Sequence, residues 1–107
     1  METTQYYCNV SALSPEQRKK YQNLEHSLFS KVQAIDEIDK GYSIKFPLEG
    51  TNFILFAEFV TYENLCCPFL SFAMTIESGD DFASLAITGP DDARAFIQAE
   101  LGLNERA

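Results

Sequence analysis

Apolar residues recur along this chain with two periods, one typical of helices and one typical of strands. Between residues 15 and 31 the helical period places three apolar residues on one stripe: Tyr21, Leu24 and Leu28. Ser14, Pro15 and Gln17 have the order of an N-cap, a first helical position and a closing capping box. We therefore predict a first helix over residues 15–31.

The segment before this helix alternates in the manner of a strand. Its aromatic and β-branched composition predicts a first strand from Tyr6 to Val10, with Tyr6, Cys8 and Val10 on one face. Cys8 then shares a face with apolar neighbours.

Two hairpins are predicted further along the chain. In the first, residues 32–38 and an alternating segment are joined by the turn Asp39-Lys40-Gly41; the alternating residues are Tyr42, Ile44 and Phe46. In the second, residues 78–81 form the turn, and the alternating residues are Phe72, Met74, Ile76, Ala83, Leu85 and Ile87.

Two further helices complete the prediction. After the break at residues 47–50, Thr51 can cap a second helix that runs to about Leu65 or Cys66 and is ended by Pro68. A third helix opens at Gly89-Pro90, with Asp91 and Asp92 in its first turn, and stops at Gly102. Its predicted buried face comprises Ala93, Phe96, Ile97 and Leu101.

The predicted order is β-α-β-β-α-β-β-α, which is typical of an α+β fold with an antiparallel sheet and helices on one face. A ferredoxin-like core with an added strand and helix fits this order. The chain of 107 residues, without internal linker or repeat, is expected to form a single domain over residues 1–107.

Charge and composition narrow the classes of partner. Sixteen acidic and eight basic residues give a formal charge of −8, which disfavours nucleic acid and anionic membrane surfaces as partners. The N-terminus lacks the pattern of a secretory signal, so we expect a cytoplasmic protein. Three cysteines in such a chain are expected to be reduced thiols.

The candidate chemistry lies at the end of the second predicted helix. On a helical wheel Glu63 falls on the aromatic face with Phe56 and Phe59, so a solvated stripe does not explain it. Cys66 and Cys67, three and four residues later, flank Glu63 one turn on. Both sulfurs can meet one partner only if Pro68 unwinds the backbone at Cys67.

These residue types favour binding of a soft ion. Thiolates at the negative end of a helix beside a carboxylate are poor free nucleophiles, whereas a metal ion displaces the thiol protons. Cys66, Cys67, Glu63 and, if its strand lies close, Cys8 would be ligands typical of zinc, cuprous, mercuric or arsenite ions.

Plainer interpretations of the same residues stay open. The cysteines can be core packing at a helix end, since a buried thiol behaves as a small hydrophobe. Glu63 can pair structurally with Lys45, with Arg94, with a tyrosine hydroxyl or with backbone N–H groups. His26 lies off the apolar stripe and is expected on the surface, which removes the usual base for a thiol nucleophile.

The segment Glu63-Asn64-Leu65-Cys66-Cys67-Pro68-Phe69, followed by Ile87-Thr88-Gly89-Pro90, resembles a group of small bacterial proteins with a Glu-x-x-Cys-Cys-Pro-Phe motif. Cys8 and the segment 41–47 add to the likeness. Similar domains occur beside, or fused to, regulators of the mercury-resistance type. The resemblance implies a thiophilic-metal role for Glu63, Cys66 and Cys67, with Cys8 secondary.

The sequence thus predicts a small soluble module that binds a metal ion or small molecule through vicinal cysteines. Two alternatives remain open. One is a protein-interaction or small-ligand domain, including a homodimer, in which the cysteines are structural. The other is a thiol-dependent enzyme in which Glu63 moves protons; no catalytic residue is assigned.

Overall fold

A computed structural model describes residues 9–90 and 93–102 of the chain. After a turn of 3-10 helix at Val10–Ala12, the elements in chain order are α1 (Pro15–Phe29), β1 (Ala34–Ile38), β2 (Gly41–Pro47), α2 (Asn52–Cys66), β3 (Ser71–Ile76), β4 (Phe82–Thr88) and α3 (Arg94–Leu101). The predicted α+β class and its antiparallel sheet are confirmed.

The sheet has four strands in the order β1-β2-β4-β3, and every neighbouring pair is antiparallel. The two predicted hairpins are β1–β2 and β3–β4. Alternate residues of the two central strands are buried, as a one-sided sheet requires: Ile44, Phe46, Ala83, Leu85 and Ile87. The helices cover this face, where α2 contacts β3 and α3 contacts both central strands.

The start of α1 matches its predicted capping box. The N–H of Gln17 donates to Ser14 Oγ at 3.1 Å, and the Ser14 N–H donates to Gln17 Oε1 at 2.9 Å. Tyr21 and Leu28 on the predicted stripe are buried and Leu24 is half-buried, so α1 packs this face against α2.

Aromatic rings connect the two helices to the sheet. Phe46 of β2 stacks on Phe56 of α2 with ring centroids 3.9 Å apart, and Tyr21 stacks on Phe59 at 5.5 Å. Phe29 meets both α2 rings edge-on. The core therefore continues from the sheet through α2 to α1, and it fixes which side of α2 is hidden from water.

Some predicted boundaries are wrong. Val10 begins a 3-10 helix instead of ending a strand, and Asn9 is not in a strand; Tyr6–Cys8 of the predicted first strand lie outside the described residues. The α1 helix ends at Phe29, two residues short of the prediction. Thr51 occupies the N-cap position of α2, but its side chain accepts no capping hydrogen bond.

The third helix also starts later than predicted, at Arg94. Asp91 and Asp92 lie outside the described residues. Gly102 ends α3 as predicted, in a left-handed conformation with φ of 62°. Across the described residues, no helix combines the length and apolar character needed to cross a membrane.

Candidate functional site

The candidate site lies where α2 ends. The helix stops at Cys66, and Cys67 leaves it with φ of −127° and ψ of 70°, as expected for a residue before proline. The Cys67 N–H still donates to the carbonyl of Glu63 at 2.7 Å. The predicted unwinding at Cys67 is therefore present. Cys66 and Cys67 are not related by the rotation of 100° per residue that a regular helix imposes.

Glu63 has no exposed surface. Its Oε1 accepts a hydrogen bond from the Tyr21 hydroxyl at 2.6 Å, and its Oε2 lies 3.8 Å from Cys67 Sγ. Both partners are neutral groups. The wheel prediction that Glu63 belongs to the aromatic face is confirmed, since Phe56 and Phe59 on that face are also fully buried.

This environment favours a protonated carboxyl group. Burial raises the pKa of Glu63 to about 7, and the carboxylates of Glu100 and Glu25 add to the rise. The hydrogen bond from Tyr21 opposes it by stabilising the charged form. Tyr21 in turn has its pKa raised by burial and by the charge of Glu63. Near neutral pH the site therefore exists in both charged and neutral forms.

Cys66 is a buried free thiol with 1% of its surface exposed. Burial raises its pKa, and the nearby carboxylates of Glu63 and Glu100 raise it further. Few molecules carry a Cys66 thiolate at neutral pH, which disfavours an activated cysteine nucleophile at this position.

Cys8 lies outside the described residues, but its neighbour Asn9 is placed at the site. The Asn9 N–H donates to the carbonyl oxygen of Cys66 at 2.9 Å. The 3-10 helix that follows contacts α2. The described chain is thus attached to the end of α2 from its first residue, Asn9.

Among the structural partners weighed for Glu63, the tyrosine hydroxyl is the one observed. Lys45 lies over the Phe82 ring, 4.9 Å from its centroid, and Arg94 pairs with Glu37. His26 is exposed, as predicted. Glu63 therefore takes its described hydrogen bond from Tyr21 and not from these two cationic side chains.

The described residues include no group of three or more His, Cys, Asp or Glu side chains arranged to hold a metal ion. Glu63, Cys66 and Cys67 are neighbours at one helix end, yet they do not form a ready-made coordination shell. A bound ion would need their side chains to rotate toward one another.

A surface depression lies at the other end of α2. It has a volume of about 650 Å³ and is lined in part by Lys31, Thr51 and Asn52. Because α2 has 15 residues, this depression is roughly 20 Å from Cys66. This depression therefore does not open onto Cys66 or Cys67.

Sequence reasoning did not identify Tyr21 as the partner of Glu63. It placed Tyr21 on the buried stripe of α1, but the two residues are 42 positions apart and lie on different helices. The available signal was a hydroxyl-bearing residue among aliphatic ones on that stripe.

Comparisons of the chain with protein-family models, with curated proteins and with solved structures find no match.

Proposed function

We propose that this chain is a small cytoplasmic binding module that captures a soft metal or metalloid ion through Cys66 and Cys67. Glu63 assists from the same helix end, and Cys8 supplies a further sulfur. Zinc, cuprous, mercuric and arsenite ions are the candidates, because thiolate-rich sites select thiophilic ions.

The observation that carries this proposal is the fully buried Glu63 carboxyl beside Cys67. Burying a carboxylate without a cation costs several kcal/mol in general, which is why such groups take up a proton or find a positive partner. The polar groups described next to the Glu63 carboxyl are the Tyr21 hydroxyl and Cys67 Sγ, and neither is cationic. A bound cation would supply the missing positive charge.

The thiols fit the same chemistry. Their protons are released when a soft ion binds, so a raised thiol pKa in the empty protein, as at Cys66, does not prevent capture. It keeps the Cys66 thiol protonated and lowers its reactivity toward other electrophiles. The resemblance to small bacterial proteins related to mercury-resistance-type regulators supports this choice of ligand.

The test is a titration of the reduced full-length chain with each of the four ions, followed by calorimetry and by ultraviolet sulfur-to-metal absorption. We expect at least one ion to bind to the parent. The Cys66→Ala/Cys67→Ala variant should bind that ion at least 100-fold more weakly, because it has lost both thiolates.

Leu65→Ala provides the matched control, since Leu65 directly precedes Cys66 and is 46% exposed. It should bind as the parent does. If the double cysteine variant binds all four ions with parental affinity, the proposal is wrong.

The burial of the cysteines favours a second, structural candidate. Cys66 and Cys67 belong to the hydrophobic core and are 1% and 0% exposed. In a protein-interaction or small-ligand domain their role would be packing alone. Each alanine substitution would then lower the free energy of unfolding by about 1 to 3 kcal/mol, as cavity mutations do, and no ion would bind to the parent.

A further inference from the structure

The outer strand β3 offers one of its two sides to another molecule. Within the described residues, one side of β3 pairs with β4 and the other side ends the sheet. Strands in this position present unpaired N–H and carbonyl groups to which a further strand can bind. We propose that β3 pairs antiparallel with β3 of a second copy of this chain, which joins two sheets into one. This interaction surface goes beyond the proposed ion binding and does not rest on it.

The hydrogen bonds of the sheet show which groups of β3 point outward. Two of them continue the β2–β4 ladder in register: the Gly89 N–H donates to the Lys40 carbonyl at 3.2 Å, and the Leu48 N–H donates to the Asp81 carbonyl at 2.9 Å. Hydrogen-bonded pairs alternate along an antiparallel ladder. The odd-numbered residues of β4 therefore bond to β2, and its even-numbered residues face β3.

The same alternation continues into β3. The even-numbered residues of β4 are paired with the odd-numbered residues of β3, as in Ala86 with Ala73. These odd-numbered residues direct their N–H and carbonyl groups toward β4. The residues that direct theirs away from the sheet are then Phe72, Met74 and Ile76. Their side chains lie on the helix-covered face, where Ile76 is 52% exposed.

Charge distinguishes this edge from the opposite edge of the sheet. The other outer strand, β1, carries the exposed residues Asp36 and Glu37. Charged side chains of this kind protect a strand edge from pairing with another molecule. The segment Ser71–Ile76 that forms β3 has no charged residue and no proline. Of the two outer strands, β3 is therefore the one that can accept a further strand.

The helix beside this edge is also free of outward charge. The helix that contacts β3 is α2, and its charged residues are Glu58 and Glu63. Both are engaged with α1, because Glu58 pairs with Lys20 and Glu63 accepts a hydrogen bond from Tyr21. An uncharged strand thus lies next to a helix whose carboxyl groups are directed elsewhere.

An uncharged edge on this chain suits a second copy as the occupant. The formal charge of −8 attracts basic partners, and these would bind to acidic surfaces. Two copies repel each other, and the repulsion is smallest where neither surface carries a charge. Antiparallel pairing also keeps the acidic hairpin tips of the two copies, with Glu77, Asp80 and Asp81, about 20 Å apart.

Two-fold symmetry selects one register for this pairing. Phe72 of each copy faces Ile76 of the other, and Met74 faces Met74 of the second copy on the symmetry axis. All three outward-directed residues of each strand are then used, which gives about six backbone hydrogen bonds between the copies. The same surface serves on both copies, as a closed dimer requires.

The first test is sedimentation equilibrium of the reduced full-length chain without added metal, from about 5 to 500 µM. The range extends this high because a strand pair of six residues is smaller than a standard interface of about 1,600 Å². The parent should change from monomer to dimer within it. Met74→Glu should raise the dissociation constant by about 10-fold or more, because two carboxylates would face each other about 5.5 Å apart. Gln22→Glu adds the same charge at an exposed position of α1 and should dimerise as the parent does.

A cross-link tests the register. In Met74→Cys the two new thiols lie on the symmetry axis with Cα atoms about 5.5 Å apart, which a disulfide spans. After treatment with oxidised glutathione, non-reducing electrophoresis should show a covalent dimer. In Ala73→Cys the two Cα atoms are about 8 Å apart, beyond the reach of a disulfide. This variant and the parent should therefore form far less covalent dimer.

Three outcomes would overturn the proposal. A parent that remains monomeric up to about 500 µM would leave the edge to a strand of another protein. Parental dimerisation by Met74→Glu would exclude β3 as the interface, and if this variant does not fold, absence of the Met74→Cys cross-link would exclude it instead. Stronger cross-linking of Ala73→Cys than of Met74→Cys would refute the register. None of these measurements involves metal, so they are independent of the outcome of ion binding.

Discussion

At the scale of single residues, Glu63 makes stability depend on pH in an unusual direction. Its pKa in the folded chain is about 7, against an ordinary value of 4.5. Well below pH 4.5 the Glu63 carboxyl is protonated in both the folded and the unfolded state, so its ionisation does not lower the free energy of unfolding. As pH rises toward 7 the unfolded state gives up its proton first, and the folded state loses relative stability, on the order of 3 kcal/mol.

Glu63→Gln should remove this penalty, because the amide keeps the shape of the protonated acid and cannot ionise. We expect its free energy of unfolding at pH 8 to exceed that of the parent by about 1 to 3 kcal/mol. The gap should close near pH 4.5. Urea unfolding across this range measures both, with Glu49→Gln, at an exposed position, as the control. A gap that stays constant with pH would contradict the assignment.

Tyr21→Phe tests the hydrogen bond from Tyr21 to Glu63. The Phe ring can keep the stacking on Phe59, while the hydroxyl that donates to Glu63 is lost. The pKa of Glu63 should rise further, because the lost hydrogen bond favoured the charged form. At pH 8 the variant should be less stable by about 1 to 2 kcal/mol.

Carboxyl-carbon NMR titration measures the pKa of Glu63, and urea unfolding measures the stability change. Tyr62→Phe is the control, because its hydroxyl donates to Glu58 at a half-buried position. A Glu63 pKa that falls in Tyr21→Phe would refute the role given to this hydroxyl.

From the sequence, contacts between the site residues were predictable only where both residues belong to the same helix. The wheel of α2 placed Glu63 on the aromatic face and the two cysteines next to it, because helical periodicity fixes neighbours three and four residues apart. The contact with Tyr21 depends on how α1 packs against α2. Periodicity within each helix does not encode that alignment.

At the scale of elements, the close approach of β2 and β4 depends on a glycine. A Cβ added to Gly41 would lie 1.8 Å from the carbonyl oxygen of Ile87, far inside contact distance. Gly41 is paired with Thr88 at the end of this ladder. The strand can start here only because no side chain intervenes.

Gly41→Ala should therefore destabilise the fold by about 3 kcal/mol or more, since the backbone of one strand has to move. Ser43→Ala, two residues along the same strand, should change stability by less than about 1 kcal/mol. Thermal unfolding followed by circular dichroism compares them. Equal stability of the two variants would show that the ladder can shift at no cost.

Helix and strand types were predictable from apolar periods, but their ends were less so. Ser14 predicted the start of α1 because the capping box is a local interaction, and it is formed. The same reasoning failed at Thr51, where the residue is at the N-cap but makes no capping bond. Val10 lies in a 3-10 helix that contacts α2, so tertiary packing overrides its strand propensity.

At the scale of the whole molecule, the formal charge of −8 acts on any ion that approaches the proposed site. We expect the association rate of aqueous zinc to fall several-fold as ionic strength rises from about 0.01 to 1 M, because salt screens the attraction. Arsenite is uncharged at neutral pH, so its association rate should not change. Stopped-flow mixing in perchlorate measures both rates, and equal salt dependence would exclude electrostatic steering.

The α+β class was predictable because element types and their order determine which layers can form. The strand order β1-β2-β4-β3 was not read from the sequence, since it depends on which strand edges meet. The proximity of Asn9 to Cys66 was likewise not read from the sequence. It follows from one backbone hydrogen bond between residues 57 positions apart, for which the sequence carries no periodic signal.

The short contact between the Tyr21 hydroxyl and Glu63 gives the protein an optical reporter. The chain has no tryptophan, so its ultraviolet emission comes from five tyrosines. An excited phenol is a much stronger acid than its ground state and readily passes its proton to a carboxylate 2.6 Å away, which quenches its light. Tyr21 should therefore be dim when Glu63 is charged and brighter when it is neutral, without any attached dye.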